Sequence, residues 1–366
     1  MLCDCRQVRP ARYRETGIAG LRFPGPTIGD VSSSKMSIPL PTIEKIDLSP
    51  ERIEGLQAEI KELAAKRGAV ILAHNYQRAE VQGVADYVGD SLGLSRQAAE
   101  TEAAVIVFCG VHFMAETAAI LSPHKTVLLP DLRAGCSLAA SITAEDVRKW
   151  KARFPDHIAV GYVNTTAEVK AELDYCCTSS NVIEVIDAIP EDKGILFLPD
   201  FFLGAHIRRM RPDRNVQVWM GECHVHKEIN TRTVNERRGE YPEAEVLVHP
   251  ECGCAGQLIY GMGMGDVDSK GVHILSTEGM VRAAKDGLDD ETFIVATEVG
   301  ILTRMQQIAP TKNFVPADPE ALCAFMKTIT LDAIKDSLVK DQHIITVPPD
   351  IARRATAALD RMVSIG

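Results

Sequence analysis

The chain has 366 residues, 46% of them hydrophobic and 25% charged, with a formal net charge of -10. That length calls for two or three domains rather than one core, and the composition is that of an ordinary globular protein. The acidic balance excludes a general nucleic-acid binder, which needs a basic face, and no apolar run reaches the ~18 residues expected of a membrane-spanning helix.

Residues 1–44 read as a flexible leader, because "FPGPTIGDVSSSKMSIPLPT" is rich in Pro, Gly and Ser and shows no period. The opening "MLCDCRQVRPARYRETG" lacks the apolar segment of a secretory signal. The cysteines are therefore expected in a reducing, cytoplasmic setting, as buried or metal-binding thiols rather than a disulfide framework. Cys3 and Cys5, in the leader, are poor candidates for chemistry.

From about residue 68, short β-branched runs alternate with helical patterns, which signals an α/β architecture. "GAVILAHNY" (68–76), "IAVGYVNT" (158–165) and "AEVLVHPE" (244–251) are predicted strands that end at His74, Tyr162 and His249, with spacings of 88 and 87. Helical patterns open 17, 17 and 27 residues later, at Ser91, Ser179 and Ser276, the last implying an insertion around "GMGMGDVDSKG". Buried strands follow ("AVIVFCG", "GILFLPD", "TFIVATE"), then helices, and each unit closes on a short strand and a cysteine. Those cysteines, Cys136, Cys223 and Cys323, stand 45, 44 and 47 residues after the serines. A period near 90 is too long for a solenoid. It fits three αβα units related by pseudo-threefold symmetry, over residues 45–150, 151–238 and 239–330, with a C-terminal helical segment at 331–366.

Parallel α/β units bind ligands outside the carboxyl ends of their strands. Each first strand offers a polar pair at i and i+2, positions that share one strand face: His74 with Tyr76, Tyr162 with Asn164, His249 with Glu251. Ser91, Ser179 and the Ser276–Thr277 pair sit at helix starts. Each serine alone is an ordinary N-cap; three together suggest an anionic substrate held at helix N-termini. One cysteine per unit on a threefold axis suits a cubane iron–sulfur cluster with one iron lacking a protein ligand, whereas zinc would need a fourth ligand or a water. "GECHVH" (221–226) on its own resembles a zinc site, and "ECGC" (251–254) could bind metal too but has no counterpart in the other units. Cys109, inside an apolar strand, is expected to be a small hydrophobe.

The motifs "AHNY", "GDSL", "GVHFMAETA", "AGCSL", "YVNT", "TSSN", "GECHVH", "VHPEC", "STEGM", "ATEVG" and "LCAFMKTITL" together resemble the quinolinate synthase family, over about residues 45 to 365. The resemblance implies three αβα sandwich domains around a [4Fe-4S] cluster held by Cys136, Cys223 and Cys323. It implies condensation of iminoaspartate with dihydroxyacetone phosphate, releasing phosphate and two waters, with L-aspartate oxidase as a functional partner. It gives His74, Tyr76 and Glu251 substrate-binding and acid/base roles, with Glu251 as the proton-shuffling base beside His249. Tyr162 and Asn164 would meet substrate carboxylate or hydroxyl groups, and Ser91, Ser179, Ser276 and Thr277 the phosphate and later a carboxylate. His226 would act behind these residues. The C-x-x-C-x-x-C run that some members of the family carry near the third ligand is absent here, where Cys323 stands alone. The rival expectations are an aconitase-like hydro-lyase, a mononuclear zinc hydrolase and a non-enzymatic iron–sulfur carrier or sensor.

Overall fold

A computed structural model of the chain describes residues 38–256, 258 and 271–365. Most of the expected leader, with Cys3 and Cys5, and most of the expected 252–272 insertion lie outside the described residues.

Three four-stranded parallel sheets follow one another along the chain. The first holds β1 (Ala69–His74), β2 (Tyr87–Gly89), β3 (Val105–Cys109) and β4 (Thr126–Leu128). The second holds β5 (His157–Tyr162), β6 (Tyr175–Cys177), β7 (Gly194–Leu198) and β8 (Val216–Val218). The third holds β9 (Glu245–Val248), β10 (Val272–Ile274), β11 (Thr292–Ala296) and β12 (Asn313–Pro316). Every sheet has the same spatial order, second–first–third–fourth, and every pairing is parallel. The central strands are mostly apolar, as burial on both faces requires; β3 and β7 are buried at every residue. The second strand of each sheet was not legible in the sequence, because "YVG", "YCC" and "VHI" are too short to show a period.

The linker helices repeat as well. Thr143, Asn230 and Thr330 each stand seven residues after a unit's cysteine and cap the helices Ala144–Arg153, Thr231–Glu240 and Leu331–Lys340 with their side chains. The first two lead into β5 and β9. The third packs on the helix Pro50–Arg67, which leads into β1, so the chain closes a ring of three lobes. Pro50–Arg67 is framed by the Ser49 cap, Pro50 in its first turn and Gly68 in the left-handed conformation (φ 58°) at its end. The last helix, Pro349–Ser364, buries Ala355, Ala358, Leu359 and Met362 along one face against the helices of the first two lobes.

Candidate active site and metal centre

The strand ends converge on one cavity of about 670 Å³, counting its mouth. Its wall includes His74, Tyr76, Ser91, Cys136, Tyr162, Asn164, Ser179, Cys223, His249, Glu251, Thr277 and Cys323. All the sequence-derived candidates except Ser276 therefore line it.

Local geometry departs from the expectation in two ways. The polar pairs do not share a strand face: β1 and β5 stop at His74 and Tyr162, and β9 stops one residue short of His249. The second members come off a turn instead. His74 Nδ1 accepts the Tyr76 N–H (3.1 Å) and His249 Nδ1 accepts the Glu251 N–H (3.4 Å), so each imidazole fixes the turn that carries its partner. The helix starts are also displaced. Asp90, not Ser91, caps Ser91–Glu100 by accepting the Gly93 N–H (2.8 Å), which leaves the Ser91 hydroxyl for the cavity. Ser276 caps Thr277–Asp286 (3.2 Å to the Gly279 N–H), and its neighbour Thr277 faces the cavity. Register explains the shift: His74 pairs with Gly89, Tyr162 with Cys177, and Val248 with Ile274. The counterpart of Ser91 and Ser179 is therefore Thr277, 28 residues after His249. Ser179 is no cap either; its hydroxyl lies 3.3 Å from His249 Nε2.

The three cysteines sit on one repeated device. Two residues before each, a carbonyl accepts the N–H at the start of the unit's last helix: Ala134 O from His112 (2.7 Å), Gly221 O from Phe201 (2.8 Å), Ala321 O from Val299 (3.0 Å). Each cysteine carbonyl then accepts the N–H four residues on, from Ala140 (3.0 Å), Lys227 (3.1 Å) and Lys327 (3.0 Å). Every cysteine thus opens a single helical turn, and in the first and third units backbone N–H groups of that turn face the sulfur. Gly221 is required in its copy, because a Cβ there would stand 2.4 Å from the Pro199 carbonyl oxygen. Burial pushes the Cys136 and Cys323 thiols up to about 11 and 12, and backbone N–H groups of the turns act against it. Burial also raises Cys223, against the pull of His226. Cys109, Cys176, Cys177, Cys252 and Cys254 are buried and do not line the cavity.

Behind Cys223 lies a polar network that the sequence did not reveal. His226 Nδ1 stands 3.4 Å from Cys223 Sγ and 3.3 Å from Glu251 Oε2, and these three side chains form a compact group able to hold a metal ion. On its other side His226 Nε2 lies 2.8 Å from the Thr297 hydroxyl, which in turn lies 2.7 Å from the Tyr76 phenol. Glu251 also accepts a short hydrogen bond from Tyr162. Burial works against charge on His226, yet Cys223 and Glu251 raise it to about 10. Burial likewise opposes charge on Glu251, yet His249, His226 and Tyr162 hold its carboxyl below the usual range. His226 and Glu251 thus form a buried ion pair shared between two lobes. Thr297 and Glu298 could have been noticed as a polar pair closing the apolar strand "TFIVA"; Asp90, Ser137 and Phe325, also in the wall, carry no such signal.

His74 and His249 behave oppositely. Burial pushes both down to about 3, so the folded protein holds them neutral, while the unfolded chain protonates near 6.5. Between those values the unfolded state binds more protons, so stability falls as pH drops from about 6.5 towards 3. Urea midpoints of the metal-free protein should decline from pH 7 to pH 5. His74→Asn, whose Oδ1 can still accept the Tyr76 N–H, should flatten that decline; an unchanged slope would contradict a buried neutral His74.

A parallel α/β fold in which three lobes bring cysteines, imidazoles and carboxylates to one buried cavity defines an enzyme with a metal centre. The family model described as quinolinate synthetase A protein matches residues 58–364. The quinolinate synthase of Thermus thermophilus is 54% identical over 315 residues, covering 86% of this chain and 99% of that protein. That of a Mycobacterium species (strain KMS) is 51% identical over 320 residues, 87% and 94% of the two chains. That of Mycobacterium tuberculosis is 52% identical over 309 residues, 84% and 88%. The chain belongs to the quinolinate synthetase A family. No helix among the described residues is long and apolar enough to cross a membrane.

Proposed function

We propose that this chain makes quinolinate by condensing iminoaspartate with dihydroxyacetone phosphate, releasing phosphate and two waters, and that Cys136, Cys223 and Cys323 hold a [4Fe-4S] cluster. The observation that carries the reading is the threefold cysteine device opening on a cavity with hydroxyl groups at its helix starts. The donor set fits the cluster: three soft thiol ligands, one per lobe, none in a disulfide, with no fourth cysteine in the wall among the described residues. When bound, an iron without a protein ligand supplies a Lewis acid for the leaving hydroxyl.

The residues divide the remaining work. Ser91 and Thr277 begin ten-residue helices, where hydroxyl, backbone N–H and helix dipole together suit a phosphate and later a carboxylate; Ser179 adds a third hydroxyl. Asn164 Oδ1 has no hydrogen-bond partner among the described residues, as suits a group kept for substrate. Tyr162 and His226 hold the carboxylate of Glu251 in place, and Glu251 takes the proton whose loss makes the enamine nucleophile. Tyr76, its phenol kept protonated by burial, donates to the departing oxygen, with His74 steadying its turn. Iminoaspartate is labile, so an L-aspartate oxidase is the functional partner, and the unpaired thiols suit the cytoplasm.

The test is anaerobic: protein reconstituted with iron and sulfide, given both substrates, should form quinolinate and phosphate in equal amounts. Turnover of a hydroxy acid without phosphate release would point to a hydro-lyase instead. A second reading rests on the compact Cys223–His226–Glu251 group, which offers one metal ion a Cys–His–carboxylate set. Anaerobic protein holding one zinc and no sulfide would favour it.

A further inference from the structure

We propose that Glu298 and Lys327 form a buried clamp that seats Cys323 and ties it to the turn carrying Tyr76. The proposal rests on the reading of Cys323 as a metal ligand. Glu298, fully buried, accepts two hydrogen bonds, Oε1 from the Cys323 N–H (3.0 Å) and Oε2 from the Gly300 N–H (2.6 Å), and its Oε1 also forms an ion pair with Lys327 Nζ (2.8 Å). Lys327 approaches the same cysteine from the other side, its backbone N–H donating to the Cys323 carbonyl (3.0 Å). Its ammonium also donates to the Tyr76 carbonyl (2.5 Å), and Arg78 holds its own carbonyl (2.7 Å from Nη2). Beyond the carbonyl bond that all three cysteines share, Cys323 is thus held through its N–H by Glu298, whose ion pair with Lys327 also fixes the first lobe's turn. Gly300 allows this closeness, since a Cβ there would lie 2.8 Å from both the Tyr76 carbonyl and Glu298 Oε2.

The other two cysteines lack the device. Val111 occupies the position of Glu298 in the first lobe. Asp200 occupies it in the second, and there Oδ1 is spent on the Leu203 N–H (2.6 Å) while Oδ2 has no partner. A buried carboxylate with three donors and a buried ammonium is costly to assemble unless its geometry serves a purpose. The purpose assigned here is to preform the third cysteine's turn before any metal arrives. Glu298 and Lys327 are positioning residues.

Glu298→Gln keeps the volume but removes the charge and turns one arm into a donor, so at least one of the three contacts must break. A second variant combines Glu298→Gln with Lys327→Met and removes both charges. In metal-free protein, alkylation of Cys323 should quicken at least about tenfold relative to Cys136 in the same molecules, the factor expected for losing a charge-assisted hydrogen bond. Iron and sulfide uptake on anaerobic reconstitution should fall by roughly half or more in both variants, with cooperative unfolding retained. A double variant that alkylates and loads like the parent would show an effect of charge and overturn the proposal. So would loss of cooperative unfolding in both, which would assign the pair to the fold at large. Parent protein that takes up no iron or sulfide, while the alkylation difference persists, would sink the cluster reading and leave the clamp standing.

Discussion

Replacing Cys136 by alanine is expected to abolish quinolinate formation and leave the protein folded. The side chain is half-buried on the cavity wall, not in a sheet interior, so its removal opens little space. Its backbone bonds, the Ala140 N–H to its own carbonyl and the anchor at Ala134, do not depend on the sulfur. Stability should change by no more than about 1 kcal/mol, in keeping with substitutions outside the core. Activity should fall by at least about 10³-fold, since a Lewis acid is worth several kcal/mol and each ~1.4 kcal/mol is tenfold in rate. Cys109→Ala is the control: that thiol is buried within β3, so the change should cost stability and spare the chemistry. Anaerobic iron and sulfide analysis, turnover and urea unfolding of both variants make the comparison. Cys136→Ala protein that kept a full cluster and full turnover would refute the assignment of this cysteine.

Much of this centre was legible because it repeats. The spacing of Cys136, Cys223 and Cys323 is set by identical devices, an anchor two residues before and a helix cap seven residues after, so a single sequence displays their symmetry. His74, Tyr162 and His249 were legible for a similar reason: they end, or directly follow, strands whose apolar run is long enough to read. What depends on register was not. Ser276 and Thr277 could not be told apart because the insertion before β10 hides a one-residue shift that only strand pairing reveals. What depends on contact between residues distant along the chain was invisible. Thr297 meets Tyr76 and His226, and Glu298 meets Cys323 and Lys327, through separations along the chain that leave no periodic trace. "GECHVH" is the instructive case. Its compactness suggested a zinc site made of neighbours. The folded chain points Cys223 at the cavity and backs it with His226, while His224 turns to Ser137 (3.1 Å).

Glu251→Gln tests which metal ligands this centre uses as well as which base. The carboxylate sits 3% exposed between Tyr162, His226 and His249. The amide can still accept from Tyr162, but it cannot balance the charge on His226. Breaking a buried ion pair from one side costs about 3–5 kcal/mol, so a fall in the urea midpoint is expected, towards the low end because one hydrogen bond survives. Turnover should fall by roughly 10²–10⁴-fold, the range for a lost general base. The two metal readings then part company. With a cluster on three cysteines, Glu251 is no ligand, and the variant should keep the parent's iron and sulfide while losing turnover. With one ion on Cys223, His226 and Glu251, the substitution removes a ligand and the metal content itself should drop. An anaerobic preparation of this single variant, assayed for metal, sulfide and quinolinate, therefore separates loss of the base from loss of the ion.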